Sequence, residues 1–345
     1  MRKRSIWALS ALFAAAAAMT AGAAAAVAKP VKIVVGWVET PGHLAPLVAA
    51  LEKRDPAIMP NDGKAYRFEP LHFRGTTLEI SALALNDIQV APFSDAAFAL
   101  AITNAHLNLK IVADVLQTGH PGYFPGEYVV AKNGPIKTIA DVKGKRVATN
   151  AIGSAADSDM RVMLHRHGIK NSDFTTVEAG FAVQPAMLEE GKVDMIELLP
   201  QFAHNLMATG KYRVLFTAAQ VMGVEETILW AMRSDFIAAH RPAIIDFFTD
   251  YMRAVHWFLN PKNRKEALAI LSKVTHQPEK NLQFAFTKHD FYHDPYLVPD
   301  IAAVQRAIDV DAKIGVLKKS IVVSPKYVDL SLIRAAKKRL LAHGR

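Results

Sequence analysis

The segment TNAIGSAADSDMRVMLHRHGI, residues 149–169, joins a predicted strand to a helix through a turn of small residues. The helix opens on Gly153, Ser154 and Ala155, where no bulky side chain protrudes. The first amides of a helix have no intrahelical acceptors, and the helix dipole makes that end positive. An anionic or polar ligand can therefore approach closely at this turn. Ser is also an ordinary helix cap and Gly an ordinary turn residue, so a purely structural role stays open.

Strand-like and helical patterns alternate on both sides of this segment. The alternating, branched run from Val31 to Trp37 predicts a strand, and leucines and a valine at helical spacing follow it. Further strands are predicted at 66–73, 88–91, 109–116, 127–132, 146–149, 174–177, 193–197, 213–217 and 227–232. Such alternation favours an α/β fold with mostly parallel sheets. After Arg241 the chain is predicted to be mainly helical, over 242–259, 264–274, 299–314 and 330–343.

The N-terminal segment, residues 1–28, has the composition of a secretory signal peptide. Basic residues precede an alanine-rich apolar run, and Ala26-Val27-Ala28 offers a cleavage site. The chain has a formal net charge of +9, which is mild and scattered, so a nucleic-acid surface is not expected. It contains no cysteine, which excludes disulfides, thiolate metal sites, a thiol nucleophile and a lipid-modified cysteine. We expect a soluble, unanchored, monomeric protein of the bacterial periplasm.

Two stretches of the chain follow the same plan. Residues 76–101 and 181–208 each contain a helix, a polar or glycine stop, a short apolar strand and a proline-containing turn into another helix. This similarity suggests two lobes of related construction.

The candidate ligand site is drawn from the turns that follow the strands, because ligands of open α/β sheets bind beyond the carboxyl ends of strands. Arg74 is a natural anchor for a carboxylate or sulfonate, since its planar fork binds two oxygens, although pairing with Glu79 or Asp95 at the surface is an alternative. Apolar walls and a few directed polar groups suit a small molecule. The predicted contacts are Trp37, Glu39, Thr40, His43, Arg74, Thr76, Thr77, Ser94, Asp95, Tyr123, Asn150, Gly153, Ser154, Ala155, Phe181 and Glu197.

The sequence IKTIADVKGKRVATNAIGSAAD…MLHRHGI, within residues 136–169, resembles a signature of type II periplasmic solute-binding proteins of ABC importers. The resemblance is to the nitrate, taurine and alkanesulfonate branch, which is similar to the thiamine-precursor-binding proteins, and it covers residues 31–235. LNDIQVAPFSDA, 85–96, and LEEGKVD, 188–194, resemble further motifs of that branch. The resemblance implies a type II fold of two lobes that close by a hinge around a ligand. Lobe I would comprise residues 31–118 and 235–345, and lobe II residues 119–234.

The predicted function is solute capture for an ABC importer, with a membrane permease and a separate ATPase subunit as partners, because the chain has no phosphate-binding loop of the Walker type. We expect a small organic anion as ligand, no cofactor and no catalysis. The alternative ligand is a neutral or cationic heterocycle such as a pyrimidine vitamin precursor. The alternative functions are a sensor protein that loads a receptor and a biosynthetic enzyme on the same fold. His289 and His293 would align on a helix, but no third metal ligand is evident. Phe291 or Tyr292 is expected to close over the cleft, unless this segment serves packing alone.

Overall fold

A computed structural model describes residues 29–343 of the chain. The predicted signal peptide, residues 1–28, lies outside the described residues. Within residues 29–343, no helix is both long enough and apolar enough to cross a membrane.

The described chain is mixed α/β. The strands are β1 (Val31–Trp37), β2 (Tyr66–His72), β3 (Ala91–Phe93), β4 (Leu109–Thr118), β5 (Glu127–Ala131), β6 (Arg146–Thr149), β7 (Thr175–Glu178), β8 (Met195–Leu198), β9 (Tyr212–Thr217) and β10 (Glu225–Arg233). The helices are α1 (Ala45–Arg54), α2 (Glu79–Ala84), α3 (Asp95–Thr103), α4 (Ala155–Arg166), α5 (Gln184–Glu189), α6 (Pro200–Ala208), α7 (Ala219–Met222), α8 (Ser234–Leu259), α9 (Arg264–Thr275), α10 (Ile301–Lys313) and α11 (Ser331–His343).

The strands form two groups that correspond to two lobes. In the first group β1 pairs with β2 in parallel, β10 lies between β3 and β4, and a bridge from Val35 to Val90 links the two sheets. The second group is one sheet in the order β7-β6-β8-β5-β9. Because β10 pairs with β3 and β4, we propose that lobe I comprises residues 31–118 and 225–343, and lobe II residues 119–224. The sequence had placed β10 in lobe II.

The crossing strands explain why the sheets are less parallel than expected. β6 runs parallel to β7 and β8, whereas β5 is antiparallel to β8 and β9, and β10 is antiparallel to β3 and β4. Each of these antiparallel strands follows a connection from the other lobe, so it enters its sheet from the opposite direction. The two crossings join the lobes at β4–β5 and at β9–β10.

Each lobe has its own apolar core. In lobe I, Trp230 of β10 packs against Tyr251 of α8 with ring centroids 4.7 Å apart, and both side chains are buried. In lobe II, Tyr128 of β5 stacks on Phe216 of β9 at 4.3 Å. The C-terminal helices belong to lobe I, since α11 packs along α8 and α10 packs against α3 and β10.

Local differences from the sequence predictions have identifiable causes. α8 begins at Ser234 rather than at Pro242, because a helical turn precedes a kink at His240, where φ is −128° and ψ is 20°. His289 and His293 do not lie on a helix: the chain there forms turns, which Asp290 stabilises by accepting from the amides of Phe286 and Phe291. Within residues 29–343, no group of three or more His, Asp or Glu side chains is arranged to hold a metal ion.

Candidate ligand-binding site

A cavity with about 500 Å³ of empty space lies between the two lobes. Lobe I contributes Val38, Glu39, Gly42, His43, Thr76, Leu116, Thr227, Ile228 and Phe291 to its wall. Lobe II contributes Asn150, Ser154, Ala155, Ala156, Phe181, Glu197 and Leu199. A solute in this cavity would touch both lobes, which is the arrangement that couples binding to closure.

The turn after β1 presents a histidine of fixed protonation. His43 is buried, its amide donates to the Glu39 carbonyl at 2.7 Å, and its Nδ1 accepts from the Val38 amide at 3.3 Å. Burial, together with the nearby His293 and His72, lowers the pKa of His43 to about 3. The ring is therefore neutral near pH 7 and, with Nδ1 accepting, carries its proton on Nε2, so His43 can offer a hydrogen-bond donor to a ligand.

The opening of α4 forms part of the lobe II wall. Ser154 caps the helix by accepting from the Asp157 amide at 3.4 Å, and its hydroxyl donates to the Asn150 side chain at 2.7 Å. Gly153 has φ +80°, and its amide donates to the Asp157 carboxylate at 2.9 Å. The amides of Ala155 and Ala156 are in the first turn, where no intrahelical acceptor exists. This turn thus keeps donors for a ligand, although part of it is satisfied by its own side chains.

The small residues at this turn also let the lobes approach each other. A side-chain carbon on Gly153 would lie 3.1 Å from the Thr77 methyl and 3.2 Å from Leu100, both in lobe I. Ser94 Oγ donates to the Gly153 carbonyl at 3.1 Å, and Asn150 Nδ2 donates to the Arg74 carbonyl at 3.2 Å. Contact between the lobes is therefore a second explanation for the glycine at this turn.

Two carboxyl groups, one from each lobe, line the cavity. Burial raises the pKa of Glu39 to about 7, and the neighbouring Gln201 amide offsets this only in part. Burial, with Glu225 nearby, raises the pKa of Glu197 to about 8. Among the described residues, Glu197 Oε2 has no hydrogen-bond partner. The described lining contains no Lys or Arg, so the only ionisable side chains that can carry charge at neutral pH in this wall are acidic.

Aromatic and aliphatic side chains complete the cavity. Phe181 comes from the short turn before α5, and Phe291 is held edge-on against Phe124 with ring centroids 5.2 Å apart. Leu116 and Ile228 come from the two strands that cross between the lobes. Flat apolar surface of this kind suits a planar organic molecule.

The structure brings half of the predicted contact residues to this cavity. Those that line it are Glu39, His43, Thr76, Asn150, Ser154, Ala155, Phe181 and Glu197. Those outside the described lining are Trp37, Thr40, Arg74, Thr77, Ser94, Asp95, Tyr123 and Gly153. Contact between any of these residues and a ligand stays a prediction.

The residues outside the lining have other neighbours. Trp37 packs against His72 with ring centroids 4.4 Å apart, and Arg74 is exposed at the surface. Ser94 caps α3, while Asp95 is buried among other carboxyls, as described below. Tyr123 packs edge-on against Tyr292 at 5.2 Å and borders a separate surface groove.

Several lining residues were missed by sequence reasoning. They are Val38, Gly42, Leu116, Ala156, Leu199, Thr227 and Ile228. The position of Leu116, Thr227 and Ile228 could have been found, because the crossing strands were predicted and must pass behind any cleft between the lobes.

Residues 73–264 match the family described as NMT1/THI5 like. A protein of Haemophilus influenzae, provisionally named a thiamine biosynthesis protein, is 32% identical over 110 residues. That match covers 31% of this chain and spans about a third of the relative, 34% of its length.

Solved structures share the fold at low sequence identity. The alkanesulfonate-binding protein SsuA from Xanthomonas axonopodis, bound to MOPS, has a TM-score of 0.66 at 19% identity, covering 87% of this chain and 98% of that one. The nitrate-binding protein NrtA from Synechocystis has a TM-score of 0.69 at 16% identity, covering 90% and 89%. The desulfurization enzyme DSZB has a TM-score of 0.62 at 12% identity, covering 90% and 99%. These likenesses confirm the two-lobed α/β fold predicted from the sequence.

Proposed function

The chain belongs to the NMT1/THI5-like family, and from that premise we propose that it is the solute-binding component of an ABC importer. In this proposal the protein works in the periplasm, captures a small organic solute between its lobes and delivers it to a membrane permease that is driven by a separate ATPase subunit. The support is a two-lobed fold shared with proteins of this kind and a cavity whose wall is drawn from both lobes.

The ligand class that the cavity favours is a planar molecule with hydrogen-bond donors, such as an amino-substituted nitrogen heterocycle. The observation that carries this proposal is the placement of Glu39 and Glu197 on opposite lobes of a cavity whose described lining has no cation. Carboxyl oxygens accept from N–H groups, the neutral His43 offers a donor, and Phe181 and Phe291 provide flat apolar surface. The name of the Haemophilus influenzae relative is compatible with such a ligand.

The anion predicted from the sequence is the second candidate. That prediction relied partly on Arg74, which the structure places at the surface and outside the described lining. The specific observation that still favours an anion is the first turn of α4 in the cavity wall, with Ser154, Ala155 and Ala156. Near neutral pH the raised pKa values of Glu39 and Glu197 also allow both groups to be protonated and to donate.

Catalysis is the third possibility, because DSZB shares the fold. The complete absence of cysteine excludes thiol chemistry in this chain. We infer that the cavity binds rather than transforms its ligand.

A calorimetric titration of the purified chain distinguishes these ligand classes. The probes are 4-aminopyrimidine and cytosine as donor-bearing heterocycles, and ethanesulfonate, taurine, nitrate and benzoate as anions or zwitterions. The proposal predicts that, compared at a single pH, a heterocycle binds more tightly than any of the anions, because Glu39 and Glu197 accept from its N–H groups. Tighter binding of an anion at that pH would support the second candidate. A ligand present at 100 times its Kd should add about 2.7 kcal/mol of stability, so no thermal shift with any probe would contradict the proposed ligand classes.

A further inference from the structure

Four buried carboxyls meet beside the ligand cavity, where α4 of lobe II faces lobe I. Asp159 comes from α4, Asp95 opens α3, Glu225 begins β10 and Asp311 lies on α10. Each is more than nine-tenths buried, and all four line one narrow void beside the cavity. Carboxyls that share a buried void are close together and poorly hydrated.

Hydrogen bonds across the lobe boundary run through this cluster. Ser158 Oγ of α4 donates to Asp311 Oδ1 at 2.5 Å. Glu225 raises the pKa of Asp159, whereas Asp159 lowers that of Glu225, so the two carboxyls face each other and Asp159 is the one that keeps its proton more readily. Within residues 29–343, Asp95 Oδ1, Glu225 Oε2 and Asp311 Oδ2 have no hydrogen-bond partner. The cluster therefore joins the lobes and holds unused acceptors.

Charges on the surrounding elements do not neutralise the cluster. The positive charge of Arg306 on α10 lowers the pKa of Asp95, but less than burial and the neighbouring carboxyls raise it. The Arg306 guanidinium donates to the Val224 carbonyl at 3.1 Å. Arg161 of α4 is engaged at 2.8 Å by Asp157, a further carboxylate on the same helix. The remaining groups that act on the cluster are acidic: Glu197 of β8, Asp157 of α4 and Asp300 before α10. Four carboxylates in so little space cannot all be ionised while the lobes stay in contact.

We propose that this cluster, Asp95, Asp159, Glu225 and Asp311, is an acid-stabilised latch between the lobes. Shared protons hold α4 against α10 and β10, and ionisation loosens this contact. A rotation that moves α4 away breaks the Ser158–Asp311 hydrogen bond, separates Asp159 from Glu225 and admits water. The inference rests on the proposed closure of the two lobes and adds to it a regulation by pH.

The direction of the pH effect follows from the closed arrangement. Burial raises the pKa of Glu225 to about 7 and that of Asp311 to about 6, and it raises the pKa values of Asp95 and Asp159 as well. After opening, water lets these values fall toward about 4. A group with a raised pKa in the closed state favours closure below its open-state pKa and loses that effect as pH rises through its closed-state pKa. Closure should therefore weaken progressively from about pH 4, the open-state pKa, to about pH 6 to 7, the closed-state pKa values, by up to about tenfold per pH unit for each proton released.

The test is an interlobe distance measured without added ligand. Because the chain has no cysteine, Asp87→Cys in lobe I and Lys170→Cys in lobe II can carry a pair of spin labels at exposed positions. The latch predicts a longer or broader distance distribution at pH 8 than at pH 5. The double variant Asp159→Asn, Glu225→Gln keeps the shape of the protonated pair and should flatten this dependence. An unchanged distribution from pH 5 to pH 8 in the otherwise native chain would overturn the latch.

Glu79→Gln is the matched control. Glu79 is fully buried, its raised pKa comes from burial, and it lies inside lobe I rather than between lobes. This variant should keep the native pH profile of the distance, and a double variant that also keeps the full profile would refute the role of the cluster. If the double variant does not fold, Asp311→Asn alone gives the same test by removing one titrating group. A failure to bind any probe would affect the proposed function only, whereas a flat pH profile would affect the latch only.

Discussion

Gly75→Ala should block contact between the lobes without disturbing either lobe. Gly75 is at the start of the turn before α2, with φ −168° and ψ 157°, an extended conformation that any residue adopts. A β-carbon there would lie 2.5 Å from the Ala151 Cβ of lobe II and 3.1 Å from Asn150 Nδ2. The substitution therefore acts through the opposite lobe rather than through backbone strain.

The size of the effect follows from this contact. Carbon atoms pack best at about 3.5–4.0 Å, so the lobes must separate by about 1 Å at this point or accept the clash. Separation also lengthens the 3.2 Å hydrogen bond from Asn150 Nδ2 to the Arg74 carbonyl. Overpacking of this kind costs about 1–3 kcal/mol, and here the cost falls on the closed state. We expect the Kd of a bound probe to rise by about 5- to 150-fold.

Gly180→Ala is the control for this prediction. Gly180 of lobe II also faces lobe I, but a β-carbon there would meet Arg74 Cγ at 3.6 Å, an ordinary contact. Isothermal titration of both variants and the native chain with the same probe compares the three affinities. At pH 8, where the proposed latch is loosened and Gly75 is free of the opposite lobe, the unfolding free energy of Gly75→Ala should change by less than about 0.5 kcal/mol. Equal affinities of the two variants would show that binding does not need this contact, and the closure reasoning would then fail.

Three further predictions concern the site, the crossings and the pH dependence of stability. At pH 9, where Glu197 is ionised, Glu197→Gln should weaken binding of 4-aminopyrimidine by about 10- to 100-fold relative to the native chain, the value of a hydrogen bond to a charged acceptor. Equal Kd values in calorimetry at that pH would remove Glu197 from the site. Gly119→Ala should lower the melting temperature far more than Gly144→Ala, because a β-carbon at Gly119 would lie 1.9 Å from the Gly223 carbonyl oxygen, whereas a β-carbon at Gly144 would have nothing within 4 Å. Both glycines have positive φ, so the backbone strain is matched. Similar melting temperatures of the two variants would contradict this prediction. The free energy of unfolding should fall from pH 5 to pH 8, because buried carboxyls with folded pKa values of about 6 to 8 lose their stabilising effect as pH rises through those values. A denaturant series in which the free energy of unfolding rises over this range would refute the prediction.

The fold was largely predictable because its signals are local. The strand predicted at Val31–Trp37 and the turn into α4 lie where the sequence placed them, and the strand predicted at 109–116 extends two residues further, to Thr118. The boundary we propose for lobe II differs from the one expected from the sequence, because it follows strand pairing, and β10 pairs with strands that are more than a hundred residues earlier in the chain. His289 and His293 have helical spacing, but the chain there forms turns instead of a helix. The turns are stabilised by the Asp290 carboxylate, whose contacts the spacing of the histidines does not reveal.

Half of the predicted contact residues line the cavity, and their contact with a ligand stays a prediction. Residues that follow directly after strands, such as Glu39 and Ser154, could be placed at the cavity because strand ends converge at one edge of a sheet. The charge of the cavity wall was not predictable from the sequence. Arg74 and Thr76 belong to the same turn, and only the folded backbone directs Arg74 to the surface and Thr76 into the cavity. The buried carboxyls of the latch were equally hidden, since each comes from a different element.

The most direct measurement is the interlobe distance of the doubly labelled chain during titration with a probe that binds. Capture between the lobes predicts a shorter and narrower distance distribution, whose population rises in step with the calorimetric saturation curve. A probe that saturates the protein while the distance distribution stays as it was without the probe would contradict the claim that both lobes hold the solute.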